Sequence, residues 1–191
     1  MKKFLLLLLL LLLFLSCSVS ATEVIVNRVP FDVVINEQKI NIDDEYPLLF
    51  YKDIVYLPTT FNMNNFVGLR VEFFPDYKIA DKKVGSIFVG LDKITTKNYI
   101  SYPVKEINTE ATVQENVIVV NHWDKINDIK NSEREYPVIN YKNVIYIPLS
   151  YDIVVKKLDW NLNFSWETGL EVDTRTPNEP ILDTLHSSIV G

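Results

Sequence analysis

Residues 45–58, EYPLLFYKDIVYLP, return ninety positions later as residues 135–148, EYPVINYKNVIYIP. Aligned without a gap, seven of the fourteen positions are identical and six more are near-isosteric; only Phe50 against Asn140 differs in kind. An internal repeat of this quality means that one supersecondary unit is used twice. Within the unit, residues 46–51 and 54–57 read as two strands joined by Lys52-Asp53, and by Lys142-Asn143 in the second copy. Asp and Asn tolerate the positive φ that a tight hairpin requires. Pro47 and Pro58 fall at strand edges, where a missing N–H does no harm. The repetition is thus better explained by a fold unit than by a site, and functional divergence is expected where the copies differ, first at Phe50/Asn140.

The flanks extend the unit. Residues 23–29 read as a strand, with β-branched Val24, Ile25 and Val26. Residues 31–42 form a hairpin with Asn36, Glu37, Gln38 and Lys39 at its tip. After Pro58, Thr59-Thr60 supplies a helix cap, Phe61, Phe66 and Val67 an apolar face, and Gly68 a stop. Residues 69–74 alternate as a half-buried strand, and residues 86–91 close the unit. The second unit repeats the order: a strand at 117–120, a short strand or turn at 125–130, the hairpin at 136–147, a helix in 148–158, an alternating strand at 160–164 and a closing strand at 170–172. Strands come in runs rather than in βαβ alternation, which makes the class α+β. The expected architecture is two tandem repeats, each a small antiparallel β-sheet with one short α-helix packed on it. They span residues 22–104 and 113–174, with a linker at 105–112 and a tail at 175–191. Each is small for an independent core, so the two are expected to pack together.

Residues 1–21 read as a signal peptide. Lys2-Lys3 precede an unbroken apolar run, 4–15, and then small and polar residues. The run is too short to span a bilayer, which takes about 20 apolar residues. Two cleavage sites compete: Val19-Ser20-Ala21 would free Thr22, whereas Leu13-Phe14-Leu15-Ser16-Cys17 resembles a lipobox and would leave Cys17 lipidated. Cys17 is the only cysteine, so no internal disulfide can form. Either route gives an extracytoplasmic protein, secreted or lipid-anchored. Without Lys2 and Lys3 the chain carries 17 basic and 25 acidic residues, a net charge of −8. That balance argues against nucleic acid or an anionic membrane surface as partner. It leaves membrane contact to the possible N-terminal lipid.

The order of YP-strand, Y-K-x turn, IVYLP or VIYIP, helix, alternating strand and Gly-Leu resembles the copper amine oxidase N-terminal-like (stalk) domain of secreted bacterial proteins, in two tandem copies. The second unit matches more closely, through Tyr136-Pro137, Tyr141-Lys142, Tyr146-Ile147-Pro148, Leu158-Asp159-Trp160 and Trp166-Glu167-Thr168-Gly169-Leu170. The first shares the hairpin and Gly68-Leu69 but has Phe74 where a Trp would follow. The resemblance covers most of 23–173 and implies an accessory module rather than a catalytic one. It also invites a test. Thr95-Thr96-Lys97-Asn98-Tyr99-Ile100 matches the quinone-forming Tyr context of the oxidases except that Ile100 replaces an acid. With only His122 and His186 in the chain, the three imidazoles such copper sites use cannot be assembled.

Catalytic chemistry is not otherwise indicated. His122 beside Asp124 has no activated nucleophile near it in sequence. Asp43-Asp44-Glu45 and residues 133–135 lack the spacing of a calcium loop and read as solvated acidic turns. No enzyme activity, cofactor or metal is expected. The expected function is a non-catalytic cell-envelope module contacting an envelope protein or cell-wall polysaccharide. The alternative is a glycan- or small-ligand-binding protein using an aromatic sheet face, with Tyr51, Tyr141, Trp123 and Trp166 as its candidate residues. Aromatic platforms stack on sugars or grip protein partners; filling two small cores is the plainer role for most of these rings.

Overall fold

The structure is a computed structural model that describes residues 22–76, 78–79, 82–83, 86–104, 109–114, 117–120 and 131–175. The signal segment, residues 125–130 and the tail beyond 175 lie outside them. In chain order the strands are β1 (Glu23–Ile25), β2 (Asn27–Arg28), β3 (Val33–Ile35), β4 (Gln38–Lys39), β5 (Leu49–Tyr51), β6 (Ile54–Pro58), β7 (Leu69–Phe74), β8 (Lys78–Ile79), β9 (Lys82–Lys83), β10 (Ser86–Leu91), β11 (Glu110–Val113), β12 (Val117–Val120), β13 (Ile139–Tyr141), β14 (Val144–Pro148), β15 (Asn161–Ser165) and β16 (Gly169–Asp173). The helices are α1 (Phe61–Val67) and α2 (Tyr151–Val154).

The repeated stretch folds locally as read. Lys52 and Asp53 have φ of 52° and 62°, and Lys142 and Asn143 have 48° and 65°, the left-handed pair of a two-residue hairpin. Thr60 caps α1 by accepting from the Met63 N–H at 3.3 Å, and Gly68 ends the helix at φ 69°. The second helix is a single turn, shorter than its apolar spacing predicts. Ser150 makes no side-chain cap bond, and Val154-Val155 are poor helix formers.

The assembly of these pieces departs from the expectation. They do not form two small antiparallel sheets. Seven strands instead make one sheet in the order β1-β11-β13-β14-β6-β5-β2. Its edge strands, β1 and β2, are separated only by Val26, whose N–H donates to the Thr109 carbonyl at 2.8 Å. The sheet therefore curls until its ends meet in one segment, giving a near-closed barrel. The repeats face each other across a pseudo-twofold axis. Leu57 pairs with Ile147, the same position of the two copies, and the flanking pairs Tyr56–Pro148 and Pro58–Tyr146 interchange under the ninety-residue shift. On the opposite wall Asn27 pairs with Phe50 and Thr112 with Asn140, which relates the first strands by a shift of 85. Under that shift Ile25 maps onto Glu110, its own partner.

Strands are also exchanged outside the barrel. The closing strand of the first repeat, β10, pairs in parallel with β12 of the second, Ile87 opposite Ile118 and Val89 opposite Val120. The closing strand of the second, β16, pairs in parallel with β3 of the first, Leu170 opposite Val33 and Val172 opposite Ile35. The two registers coincide when β3 is shifted by 85 onto β12 and β10 by 83 onto β16. Outer sheets β12-β10-β7 and β15-β16-β3-β4 result, with a small β8-β9 ribbon beside them. Each repeat is too small to cover its own core, and lending a strand covers sheet edges that would otherwise stay open. Gly169 makes one exchange possible. Its φ is +83°, a Cβ there would lie 2.1 Å from the Asp32 carbonyl oxygen, and the next N–H, of Leu170, donates to that oxygen at 2.9 Å.

Two apolar layers follow. Tyr56, Tyr141, Tyr146, Leu49, Ile139 and Val26 share a cluster inside the barrel. Val55, Leu57 and Ile147, on the other faces of the same strands, join Met63, Phe66 and Leu149 beneath the outer sheets and helices. Both faces of β6 and β14 are buried, which is why their sequences are almost continuously apolar.

Because every sheet outside the β8-β9 ribbon draws on both repeats, residues 22–104 and 109–175 expressed as separate chains are expected to show no cooperative melt alone. Mixed, they should recover one. A cooperative melt of either half alone, followed by circular dichroism, would overturn the exchanged topology.

Candidate functional site

Three tyrosines of the repeated stretch belong to the barrel interior. Tyr141, Tyr56 and Tyr146 are buried, with Tyr141–Tyr146 centroids 5.6 Å apart at 79° and Tyr51–Tyr56 at 5.9 Å and 56°. Tyr51 is half-buried at the barrel's mouth. Lys52 Nζ lies 5.6 Å from the Tyr51 ring centre and Lys142 Nζ 5.4 Å from that of Tyr141, again in dyad-related fashion. Tyr141 therefore does not stand on a solvent-facing sheet surface, and Tyr51 does so only in part. The Tyr56 and Tyr146 hydroxyls find no partner among the described residues. Burial pushes both phenols above their ordinary range, and neighbouring tyrosines add to it.

Tyr99, of the oxidase-like hexapeptide, is also a core residue. Its hydroxyl donates to Asp44 Oδ2 at 2.7 Å, and its backbone is bracketed by the Gln38 amide at 2.7 and 2.8 Å. Asp44 is 2% exposed and also accepts from the Tyr102 N–H at 3.2 Å. The acidic stretch is therefore not simply a solvated turn: Asp43 pairs with Arg28 at the surface, while Asp44 is an internal acceptor. The described residues contain no group of three or more His, Cys, Asp or Glu able to hold a metal. Cys17, His122, Trp123 and His186 lie outside the described residues.

One aromatic row does reach solvent. Phe50 and Phe31 meet edge-to-face at 5.8 Å and 88°, Phe31 meets Phe164 at 5.0 Å and 62°, and Phe164 meets Trp166 at 5.2 Å and 78°. Exposure rises along the row. Phe50 and Phe31 are half-buried, Phe164 is 42% exposed, and Trp166, in the β15–β16 turn, is 88% exposed. The turn is fixed by Ser165, whose hydroxyl accepts from the Thr168 N–H at 3.0 Å and lies 2.8 Å from the Thr168 hydroxyl. A large apolar ring held this far into water is costly to leave uncovered, and such rings mark contact sites.

The dyad-related position is built differently. Gly68, the cap of α1, and Asp159, past the turns that follow α2, both have positive φ and lead into the next strand, so β7 corresponds to β15 and Phe73 to Phe164. Phe73 is 59% exposed. Asn140 stands where the first copy has Phe50. A groove of about 440 Å³ opens there, lined by Phe73, Glu72, Gln114, Asn140, Asn143 and Thr59. The Asn140 Oδ1 accepts from the Asn143 N–H at 3.1 Å, orienting the amide. Of these residues sequence reading marked only Asn140 as a place for functional divergence, through its mismatch with Phe50; Thr59 and Asn143 read as cap and turn residues. Phe31, Phe73 and Phe164 read as strand or hairpin residues, and their convergence depends on the exchanged topology.

The chain matches no protein-family model, no curated protein and no solved structure.

The buried phenols carry a pH prediction. Their folded-state pKa values are raised, so the folded chain holds these protons more tightly than the unfolded one. The corresponding stability is whole below about pH 10, the unfolded value, and is lost as pH rises toward the raised values. The guanidinium midpoint should fall between about pH 9 and pH 11, and the double variant Tyr56→Phe/Tyr146→Phe should flatten that fall. At neutral pH Tyr146→Phe should raise stability by about 1–3 kcal/mol, since it removes a buried hydroxyl with no partner among the described residues, whereas Tyr146→Ala should cost about 3–5 kcal/mol.

Proposed function

We propose that this chain is a non-catalytic, extracytoplasmic glycan-binding protein of the cell envelope, and that the row ending in Phe164 and Trp166 is its contact surface. The observation that carries this reading is the 88% exposure of Trp166 at the end of a continuous edge-to-face aromatic row. Trp offers a broad apolar face beside an N–H donor, which suits the C–H face and hydroxyls of a sugar ring. The neighbouring rings fix its position before binding, which lowers the ordering cost. The acidic net charge of the chain favours a neutral glycan over an anionic one. The signal-like N-terminus and the resemblance to stalk domains give the reading its address. Delivery to the envelope would bring the chain to wall polysaccharide, through a free form from Thr22 or a form anchored at Cys17.

Purified cell-wall polysaccharide, titrated calorimetrically, is expected to bind wild-type protein. Trp166→Ala should weaken binding by about tenfold, some 1.4 kcal/mol, with a melting temperature unchanged because the ring is at the surface. Equal affinity in the two proteins, or no binding by wild type to wall polysaccharide or to any member of a glycan array, would sink the proposal.

A further inference from the structure

We infer that the groove between β7 and the β13–β14 hairpin is a second binding site, distinct from the Trp166 row, for one or two residues of a neutral oligosaccharide. The ligand class rests on the glycan reading above; the site rests on a separate observation, the difference between the two dyad-related positions. In the first copy Phe50 and Phe31 fill the space beneath Phe164, ring against ring. In the second copy the same hairpin position holds Asn140, and the space beneath Phe73 is open, about 440 Å³. That volume falls within the range of small-ligand sites, about 300–1,000 Å³.

The lining is suited to hydroxyl recognition. Asn140, Asn143 and Gln114 each offer a side-chain carbonyl acceptor and an NH₂ donor, the complement of paired sugar hydroxyls. Asn140 is already oriented by its bond from the Asn143 N–H. Phe73, 59% exposed, supplies an apolar wall for the C–H face of a ring. Glu72 is the only charged side chain among the described residues lining the groove, and it faces Arg70 at 3.7 Å. It is thus partly neutralised and serves as an acceptor rather than as a cation site. An apolar ligand would desolvate three amides without satisfying their remaining donors and acceptors, and an anionic one would meet Glu72 with no cation among the described lining residues. A neutral polyhydroxylated ring satisfies both conditions.

The first copy supplies the test. Asn140→Phe places in the second copy the residue its counterpart already carries, so it should fill the groove without changing the fold. Cellotetraose, maltotetraose and N-acetylglucosamine tetramer, titrated into ¹⁵N-labelled protein, are the probes. At least one should shift the side-chain amide signals of Gln114, Asn140 and Asn143 in a saturable manner. In Asn140→Phe the Gln114 and Asn143 shifts should disappear, or need at least tenfold more sugar. In Trp166→Ala they should persist, which separates this site from the row. The inference is overturned if none of the three sugars moves these amides in wild type, or if Asn140→Phe responds as wild type does. Should Asn140→Phe fail to fold, the wild-type titration still decides. Amide shifts in wild type together with an unchanged calorimetric affinity of Trp166→Ala for wall polysaccharide would uphold the groove and remove the row; loss of calorimetric binding in Trp166→Ala with silent amides in wild type would do the reverse.

Discussion

The antiparallel pairing of β6 with β14 is the contact on which the rest of the fold depends. It joins identical positions of the two copies at Leu57 and Ile147, and the same relation extends beyond the strands. The Thr59 N–H donates to the Ile145 carbonyl at 2.9 Å, and its dyad mate, the Leu149 N–H, donates to Val55 at 2.8 Å. Once this seam is formed, each hairpin turns its inner face to the barrel and its outer face to its own helix. The first strands then have one edge of each hairpin left to occupy, β2 beside β5 and β11 beside β13. Their mutual pairing at Ile25 and Glu110 closes the ring. The parallel exchanges of β3 and β12 follow from the same symmetry, since each emerges beside the other repeat's closing strand. Reciprocal exchange makes most of the core common property, so stability does not divide into two 60–80 residue domains that would each be marginal.

The barrel interior gives the tyrosines shared by the two copies a packing role. Few strands enclose a narrow lumen, and three large rings, Tyr56, Tyr141 and Tyr146, with small Ala111 across from them, occupy it. Large rings bury much apolar area per residue, and edge-to-face packing adds to it. The cost is polar. The Tyr56 and Tyr146 hydroxyls lie away from bulk water without a partner among the described residues, a penalty of about 1–3 kcal/mol each where no water reaches them. The Tyr99–Asp44 pair shows the opposite solution. There a buried hydroxyl and a buried carboxylate satisfy one another, and the Tyr102 N–H contributes a further bond.

How much of this was legible in the chain depends on range. Local features were plain: the two-residue turns at Lys52-Asp53 and Lys142-Asn143, the Thr60 cap, the Gly68 stop, and strands such as 69–74 and 86–91; β5 is shorter than the 46–51 expected, and β11 occupies part of the expected linker at 105–112. The α+β class was legible too. Strand partners were not. Val33 and Ile35 carry the same apolar alternation whether they pair with Val89 of their own repeat or Val172 of the other. Residue type fixes the buried face of a strand but not the identity of its neighbour. Asp44 was obscured for a related reason. Its partners, Tyr99 and Tyr102, come from a loop more than fifty residues away, so the local acidic triplet suggested solvent. The exposed row was hidden as well, because Phe31 and Phe164 are brought together only by the pairing of β3 with β16.

Symmetry then narrows where function can lie. Positions the fold needs are the same in both copies, because each must satisfy the same seam, turn and lumen; Tyr56/Tyr146 and Leu57/Ile147 are of this kind. A position at which the copies differ is one that the shared backbone tolerates in either form. Phe50 and Asn140 occupy equivalent ladder positions, yet one closes an aromatic stack and the other leaves a polar-lined groove. Asn forfeits the burial free energy of a ring, about 1.5–3 kcal/mol when buried fully, and Phe50 is buried only in part, so the sacrifice is smaller than that. The second copy thus gives up core-like packing at Asn140 while its partner keeps it at Phe50. A duplicated fold that needed only bulk there would keep Phe in both places. The open groove at Asn140 and the solvent-facing end of the filled stack at Trp166 are accordingly places where a departure from the repeat symmetry creates exposed, chemically distinct surface.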